Sequence, residues 1–306
     1  MTINKNKAVF DSIYNDADPR GYFSVLGSLD YMIPDVAEPI IRQVLATRAA
    51  LRGTNTVLDV GCSYGINAAT HRFPVNFASL RQRYARREML SIAAEKLIEL
   101  DRNFYRSWPD IGVAEFIGLD ISEPAIRYAN QAGLHVNGVA ADLETRELSA
   151  KEAAILSSAN VVLSTGAIGY VTDRTYRKLL NVVTEGAWIV SFVLRMFPYD
   201  GFIEAFAERG LVTEKLTSTT FVQRRFRDSE EFERSLAVLS ARGIDTEGFE
   251  ADGLFQAELF LSRPEKDVRA APLDKMITIS SGRHRPFGAR YVHVGPKEDR
   301  RVVIEA

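Results

Sequence analysis

A short apolar run that ends in an acid and then breaks into a glycine-punctuated turn constrains this chain more than any other feature. The run is Thr56-Val-Leu-Asp-Val-Gly-Cys-Ser-Tyr-Gly65. Its first half predicts a buried strand, and Gly61 and Gly65 remove side chains where the backbone passes close to something else. A helix is predicted to begin at Ile66, with its free N–H groups facing the turn. The sequence therefore predicts a strand, a turn and a helix arranged around a ligand.

The residues of the turn favour one class of ligand. A dinucleotide fingerprint would need glycine at positions 59, 61 and 64, whereas the chain has Asp59, Gly61 and Tyr64. An acid at Asp59 suits a cationic ligand better than a diphosphate. The run from Val57 to Gly65 resembles the first motif of the class I methyltransferases that depend on S-adenosylmethionine (SAM). It departs from that motif at Ser63, where the family usually has its middle glycine.

The resemblance implies that SAM is the cofactor and that the glycine loop lies under its methionyl part. Asp59 would hold the loop and the ammonium group of the cofactor through hydrogen bonds or water. The expected cofactor contacts from this motif are Asp59, Gly61, Cys62, Ser63 and Gly65. The residue Cys62 is the only cysteine, and we interpret it as a small buried residue rather than a nucleophile.

Acids also end the next two predicted strands. Asp120 ends Glu115-Phe-Ile-Gly-Leu-Asp120 and stands just before Ser122, which is predicted to cap the following helix. An acid at that position can accept two hydrogen bonds from a ribose. Asp142 ends the stretch from His135 to Asp142. The resemblance assigns the ribose to Asp120, followed by Ile121, and the adenine to Asp142 and Leu143.

The fourth predicted strand, 160–164, leads into the place where methyltransferases usually carry out their chemistry. Ser164, Thr165 and Gly166 are expected to contact the cofactor there. The stretch from Thr165 to Tyr170 lacks the Asn/Asp-Pro-Pro-aromatic tetrapeptide of family members that methylate exocyclic or amide nitrogens. Those nitrogens are therefore disfavoured as acceptors.

The order of the predicted elements indicates an α/β fold. It is a Rossmann-like methyltransferase sheet that is mostly parallel, with seven strands of which the last is antiparallel. We divide the chain into an N-terminal helical arm or lid, 1–53, a SAM-binding domain, 54–262, and a C-terminal extension, 263–306. A helical insertion, 72–110, explains why Asp120 follows Asp59 by 61 residues, where about 20 are usual.

Several local features are specific enough to test. Asp35 is predicted to cap a helix that Gly53 ends. Residues 211–226 are predicted to form one long extended segment, and 253–261 the last strand. In the arm, the resemblance places an aromatic residue near the sulfonium of the cofactor, and Tyr22 is our candidate.

Composition bounds the partners. The chain has 306 residues, 46% hydrophobic and 25% charged, with a net charge of −2. This charge argues against bulk binding of nucleic acid. No run is long enough for a membrane span, so a soluble cytoplasmic protein is expected. An arginine-rich stretch of the insertion, Arg81–Arg87, would suit an anionic substrate if the insertion covers the site. The extension is expected to pack on the body or on a second subunit as a homodimer.

The sequence favours a SAM-dependent methyltransferase that transfers a methyl group to an oxygen, nitrogen or carboxylate of a small molecule. No catalytic base is assigned, because His71 and His135 occupy structural positions and His284 and His293 lie in the extension. No spaced cluster of metal ligands stands out.

Three alternatives stay open. An NAD(P)-dependent oxidoreductase could also use Asp120 for a ribose. The replacement at Ser63 would suit a non-catalytic module that keeps the SAM fold for interactions. An RNA methyltransferase would use the insertion with Arg224, Arg225 and Arg227 as a basic track.

Overall fold

The computed structural model describes residues 11–279 and two strands beyond them, 290–294 and 301–305. The strands are β1 (Asn55–Val60), β2 (Ala114–Asp120), β3 (Asn137–Ala140), β4 (Val161–Ser164), β5 (Trp188–Leu194), β6 (Leu211–Lys215), β7 (Phe221–Arg225), β8 (Leu254–Pro264), β9 (Arg290–Val294) and β10 (Arg301–Glu305). The helices before β4 are α1 (Asp11–Tyr14), α2 (Arg20–Ser28), α3 (Ile33–Arg52), α4 (Ile66–Arg72), α5 (Phe77–Tyr84), α6 (Arg87–Leu90), α7 (Ala94–Arg106), α8 (Glu123–Gln131) and α9 (Ala150–Leu156). Those after it are α10 (Asp173–Leu179), α11 (Asp200–Ala207), α12 (Ser229–Ala241), α13 (Glu265–Ala270) and α14 (Leu273–Met276).

The main sheet has the order β3-β2-β1-β4-β5-β8-β6. Strands β1 to β5 pair in parallel, and β8 is antiparallel to both β5 and β6. Every residue of β5 is buried, as expected of a strand covered on both faces. The prediction of a mostly parallel sheet with an antiparallel last strand is confirmed. That last strand runs to Pro264, beyond the predicted end at Leu261.

The sheet has one strand more than predicted. The expected extended segment 211–226 lies along one edge of β8 in two pieces, β6 and β7, separated by residues 216–220. The β7 pairing with β8 also contains an irregularity between Val222 and Arg225. The uniform β propensity of the segment does not reveal this interruption, because propensity carries no information about register.

Helix α3 begins earlier than predicted. Its first residue is Ile33, and Asp35 lies within the first turn, so the prediction that Asp35 caps the helix is wrong. The Asp35 carboxylate instead accepts a hydrogen bond of 2.9 Å from the N–H of Phe77, the first residue of α5. A helix tolerates proline in its first turn, because the N–H that proline lacks would have no partner within the helix there. Pro34 therefore fits in the first turn of α3. Gly53, at φ +87°, ends α3 as predicted.

The insertion folds as α5, α6 and α7 and is fixed to α8 through a buried carboxylate. Asp101 of α7 is fully buried and accepts hydrogen bonds from the hydroxyls of Tyr84 (2.8 Å) and Tyr128 (2.9 Å). It also forms an ion pair with Arg83 at 2.8 Å. Removing a carboxylate from water is costly, and these donors replace the lost hydration. The insertion is therefore part of the packed body.

The arm formed by α1 and α2 is fixed to the glycine loop and to the insertion. The hydroxyl of Tyr64 lies 2.9 Å from the carbonyl oxygens of both Ile13 and Asp16. The ring of Phe23 in α2 stacks on that of Tyr84, with centroids 4.8 Å apart. These contacts place the arm against the turn that follows β1.

The first part of the extension packs on the body. Asp267 of α13 accepts a hydrogen bond from the indole of Trp188 (2.9 Å) and pairs with Arg52 (2.6 Å). Strands β9 and β10 pair with each other in an antiparallel two-stranded sheet. His284 lies outside the described residues. No helix in the described part of the chain combines the length and apolar character needed to cross a membrane.

Candidate active site

The carboxyl ends of β1, β2, β3 and β4 open into a cavity of about 540 Å³. This is the edge of a parallel sheet at which open α/β folds bind ligands, and the volume is in the range of small-molecule sites. Ten of the predicted cofactor contacts line the cavity: Tyr22, Gly61, Cys62, Ser63, Asp120, Ile121, Asp142, Leu143, Thr165 and Gly166. The other three, Asp59, Gly65 and Ser164, lie outside its lining.

The glycine loop has the backbone that its sequence predicts. Gly61 and Gly65 have φ values of +71° and +81°, which glycine adopts without strain. A Cβ at Gly61 would lie 2.6 Å from that of Ala167, so the loop after β4 touches the loop after β1. Ser63, in place of the family's glycine, also adopts a left-handed conformation, with φ +47°. Its hydroxyl is buried and has no hydrogen-bond partner among the described residues.

Asp120 connects the first two loops. One carboxylate oxygen accepts from the N–H of Ser63 at 2.8 Å, and the other accepts from the N–H of Ser122 at 2.9 Å. Burial raises the pKa of this carboxyl, while the backbone donors oppose the shift. The helix cap is supplied by the Ser122 hydroxyl, as predicted, since it accepts from the N–H of Ala125. Asp120 itself faces the cavity and retains lone pairs for a ligand.

Asp142 shapes the third loop. Its carboxylate accepts from the N–H of Glu144 (3.0 Å) and from the hydroxyl of Thr145 (2.8 Å). Such local bonds close a turn in which aspartate substitutes for backbone. The turn presents Leu143, which is almost completely buried, to the cavity. A carboxylate and an apolar side chain are thus adjacent in the cavity wall.

Asp59 lies behind the cavity in a buried polar triad that the sequence analysis did not identify. The side-chain amide nitrogen of Asn67 donates to both Asp59 oxygens (2.9 and 3.1 Å) and lies 3.0 Å from the hydroxyl of Thr165. Burial raises the pKa of Asp59 to about 7, with Asn67 opposing the shift. Asn67 therefore links the loop after β1 to the loop after β4. Its position one residue into α4 gave no signal in the sequence.

A second set of cavity residues was not predicted as site residues. Tyr14 and Tyr31 come from the arm region, and Gln223 and Arg224 come from β7. The amide nitrogen of Gln223 would lie 2.8 Å from a Cβ at Gly166, so the end of the Gln223 side chain lies close to the loop after β4. In the sequence Arg224 appeared only as part of a basic track.

The residues of that basic track are paired with carboxylates. Arg224 forms two hydrogen bonds with Glu231 (2.8 and 2.9 Å), and both side chains are buried. Arg225 pairs with Asp30 at 2.7 Å. The neighbouring Arg227 pairs with Asp228.

The insertion contributes nothing to the lining of the described cavity. Its arginines lie elsewhere; Arg83, for example, pairs with Asp101, and Arg81 packs on Gly27 of α2. The insertion can therefore influence a substrate in the cavity only indirectly, through its contacts with the arm.

The titratable residues near the glycine loop are suited to packing. His135 is buried against Gly118 and Gly65, and burial lowers its pKa to about 3, so it is neutral at physiological pH. His71 is buried and its Nε2 accepts from the N–H of Val113 at 3.1 Å. Burial raises the pKa of the Cys62 thiol, which favours the unreactive protonated form. Neither of these histidines lines the cavity.

The strand order decides the fold. Five strands pair in parallel in the order β3-β2-β1-β4-β5, and an antiparallel strand, β8, is inserted between β5 and β6. The chain has the class I methyltransferase fold. No family model and no curated protein matches the sequence.

Solved structures with similar folds include several methyltransferases. A TehB-like SAM-dependent methyltransferase from Corynebacterium glutamicum is 13% identical, with 72% of this chain and 87% of that chain covered and a TM-score of 0.36. The YcgJ protein from Bacillus subtilis is 10% identical, with 74% and 98% covered and a TM-score of 0.41. Magnesium protoporphyrin IX methyltransferase from Synechocystis PCC 6803, solved with bound SAM, is 13% identical, with 86% and 88% covered and a TM-score of 0.36. The assignment of the fold therefore rests on the strand order of this chain.

Proposed function

We propose that this protein is a SAM-dependent methyltransferase that acts on a small molecule. The observation that supports the proposal is the position of Asp120, whose carboxylate faces the cavity while it joins the glycine loop to the start of α8. A carboxylate at this place can accept hydrogen bonds from the two hydroxyls of a ribose. The Asp120 carboxylate would bind the ribose of any nucleoside equally well. The residues of the glycine loop must therefore distinguish SAM from other nucleoside cofactors.

The loop fits SAM better than a dinucleotide. Asp59, behind the loop, is negatively charged above its pKa of about 7, and that charge would repel a diphosphate and attract an ammonium group. Ser63 lines the cavity, and its buried hydroxyl has no hydrogen-bond partner within the described part of the chain. We assign the methionyl part to Gly61, Cys62 and Ser63. The adenosine is assigned to Asp120, Ile121, Asp142 and Leu143.

When bound, SAM supplies a methyl group on a sulfonium, whose carbon–sulfur bond breaks as the acceptor's lone pair forms the new bond. The protein must hold the acceptor in line behind that methyl group and exclude water. The arm closes the cavity over the glycine loop through the Tyr64 hydroxyl, which fixes the carbonyls of residues 13 and 16. The acceptor atom is a nitrogen or an oxygen, and the oxygen can belong to a carboxylate.

Calorimetric titration with SAM, its product S-adenosylhomocysteine (SAH) and NADH tests the cofactor. Asp120→Ala removes an ionised group that would bond two hydroxyls at about 1.5–3 kcal/mol each, so SAH affinity should fall at least ~100-fold. Asp110→Ala is the matched control. Asp110 is an acid at the end of the insertion that pairs with Arg72, and it does not line the cavity.

Binding of SAM or SAH that is lost in Asp120→Ala and kept in Asp110→Ala supports the proposal. Failure of the folded wild-type protein, freed of carried-over ligand, to bind either compound would overturn it. Binding of NADH in their place would transfer the assignment to an oxidoreductase.

A further inference from the structure

The cavity has a second wall that is built from parts of the chain far apart in sequence. We define the arm–β7 wall as Tyr14, Tyr22, Tyr31, Gln223 and Arg224. None of these residues belongs to the loops that follow β1 to β4. The cofactor assigned above is held by those loops, so the arm–β7 wall is the part of the site available to the acceptor.

Backbone hydrogen bonds connect the two components of this wall. The N–H of Met32 donates to the carbonyl of Gln223 at 2.9 Å, and the N–H of Arg225 donates to the carbonyl of Leu29 at 2.8 Å. The turn between α2 and α3 is thus paired with β7. The side chains on both sides of this pairing are held in a fixed relation, as a specific binding surface requires.

Arg224 lines the cavity while its guanidinium is held by Glu231. Its partner Glu231 is completely buried on α12 and does not line the cavity, whereas Arg224 does. Of the two members of the pair, the arginine is therefore the one that lies at the cavity. Among the described residues that line the cavity, Arg224 is the only lysine or arginine.

The tyrosines of the wall add neutral hydrogen-bond donors. Burial raises the pKa of Tyr14, Tyr22 and Tyr31 above that of a free phenol, so all three keep their protons at physiological pH. The ring centroids of Tyr14 and Tyr22 are 5.8 Å apart, and those of Tyr22 and Tyr31 are 6.4 Å apart. A guanidinium beside phenol hydroxyls favours an anionic oxygen, and clustered rings favour a planar aromatic ligand.

The carboxylates that line the described cavity each accept hydrogen bonds from the protein. Asp120 and Asp142 each accept two hydrogen bonds, as described above. Glu144 accepts from the N–H of Thr172 (2.8 Å) and from the hydroxyls of Thr172 (2.8 Å) and Thr175 (2.6 Å). These bonds give the three carboxylates structural roles in the loops around the cavity. An acceptor that is already ionised needs no base from the protein.

We propose that the arm–β7 wall binds a planar aromatic carboxylate as the methyl acceptor, with Arg224 as the residue that selects its charge. This proposal rests on the methyltransferase function proposed above. The reaction would join a carboxylate oxygen to the methyl carbon, and the electron pair of the broken bond would stay on sulfur. No proton needs to be transferred.

The test compares matched acids and amides by calorimetry on the SAH-saturated protein. The probes are benzoate, 4-hydroxybenzoate and 2-naphthoate, each against its neutral amide. The wall should bind at least one acid ten or more times more tightly than the amide of the same ring. Each pair has nearly the same shape, so the ratio reports the exchange of an ionised carboxylate for a neutral amide and not the packing of the ring.

Variants identify the residue responsible. Truncating Arg224 alone would leave Glu231 as an unpaired buried charge, so the informative variant is Arg224→Met with Glu231→Met, which replaces a buried pair by apolar groups. It should keep SAH binding and lose the preference for acid over amide. Arg227→Met is the control, since Arg227 is exposed beside the same strand and should leave the ratio unchanged.

The outcomes separate the two proposals. Equal binding of acids and amides, or binding of none of the probes while SAH binds, would overturn the acceptor proposal and leave the methyltransferase standing. An acid preference that persists in the folded double variant would also overturn the role of Arg224. If the acids bind through Arg224 but SAH does not bind in a parallel titration, the wall stands and the methyltransferase assignment fails.

Discussion

Replacing Asp59 by asparagine should make the protein more stable, by an amount that depends on pH. The pKa of this buried carboxyl is raised to about 7, from a usual value of 3.8. Below pH 3.8 it is protonated in both folded and unfolded chains. Between pH 3.8 and 7 the unfolded chain releases the proton while the folded protein retains it, so the folded state loses relative stability as the pH rises. Above pH 7 the loss is complete and constant.

The size of the effect follows from the two pKa values. Their difference corresponds to about 4 kcal/mol, at ~1.4 kcal/mol for each pH unit. Asparagine carries no charge at any of these pH values, and its side-chain oxygen can still accept from the amide of Asn67. The variant should therefore match the wild type near pH 4 and exceed its free energy of unfolding by a few kcal/mol at pH 8.

Urea unfolding of both proteins at pH 4, 5, 6, 7 and 8 measures this difference. Other titrating groups cancel when the wild-type value is subtracted at each pH. Asp110→Asn is the control, because Arg72 and the N–H of Gly112 lower the pKa of Asp110. That variant should be less stable than the wild type by a nearly constant amount from pH 5 to pH 8.

A difference between Asp59→Asn and wild type that stays flat from pH 4 to pH 8 would refute the reasoning. It would mean that Asp59 is ionised in the folded protein without an energetic cost. Under the proposed function, the same variant should bind SAH less tightly, because the negative charge near the ligand's ammonium is lost.

Three other changes test how the site is held. Gly61→Ala should lower the free energy of unfolding in urea by about 2–3 kcal/mol, because the new Cβ would clash with Ala167 and the residue has a positive φ. Gly133→Ala is the control: its φ is also positive but its Cβ would lie in open space, so the loss should be about 1 kcal/mol. Tyr64→Phe should cost about 1 kcal/mol and make residues 13–16 more sensitive to limited proteolysis; unchanged cleavage would contradict the proposed anchoring of the arm. Asp101→Asn should lower the free energy of unfolding by about 2–4 kcal/mol, because the new amide nitrogen would face the hydrogen-bond donors that now bind the carboxylate. A fall in melting temperature smaller than that of an exposed Asp→Asn variant would contradict this prediction.

The side of the cavity formed by the loops after β1, β2 and β3 could be predicted because its signals are local. A buried strand, an acid and a tight turn occupy ten consecutive residues at 56–65, and Asp120 and Asp142 repeat the pattern at two more strand ends. In a parallel sheet those ends meet at one edge whatever lies between them. The insertion 72–110 therefore lengthened the chain between the signals without moving them apart in space. The position of Asp35 was mistaken because proline in the first turn allowed α3 to begin at residue 33.

The other side could not be predicted because its residues meet only through tertiary pairing. The N–H of Met32 and the carbonyl of Gln223 are 191 residues apart in the chain. Nothing near Gln223 indicates that β6 ends early and that β7 resumes the pairing with β8. Asn67 was missed for a related reason. Asn67 contacts both Asp59 and Thr165, which lie on different strand ends, and the sequence around a single amide in a helix does not indicate such partners.

The insertion does not line the described cavity, but it is connected to the arm–β7 wall that does. Asp101 holds the hydroxyl of Tyr84, the ring of Tyr84 stacks on Phe23, and Phe23 packs edge-on against its neighbour Tyr22, which lines the cavity. Each step is a packed or hydrogen-bonded contact between buried groups, and such contacts transmit displacement because protein interiors contain little free space. The predicted cover is thus better understood as a support for the arm. A bulkier acceptor would be accommodated by changes in the insertion that move α2, even though the cavity lining itself stays the same.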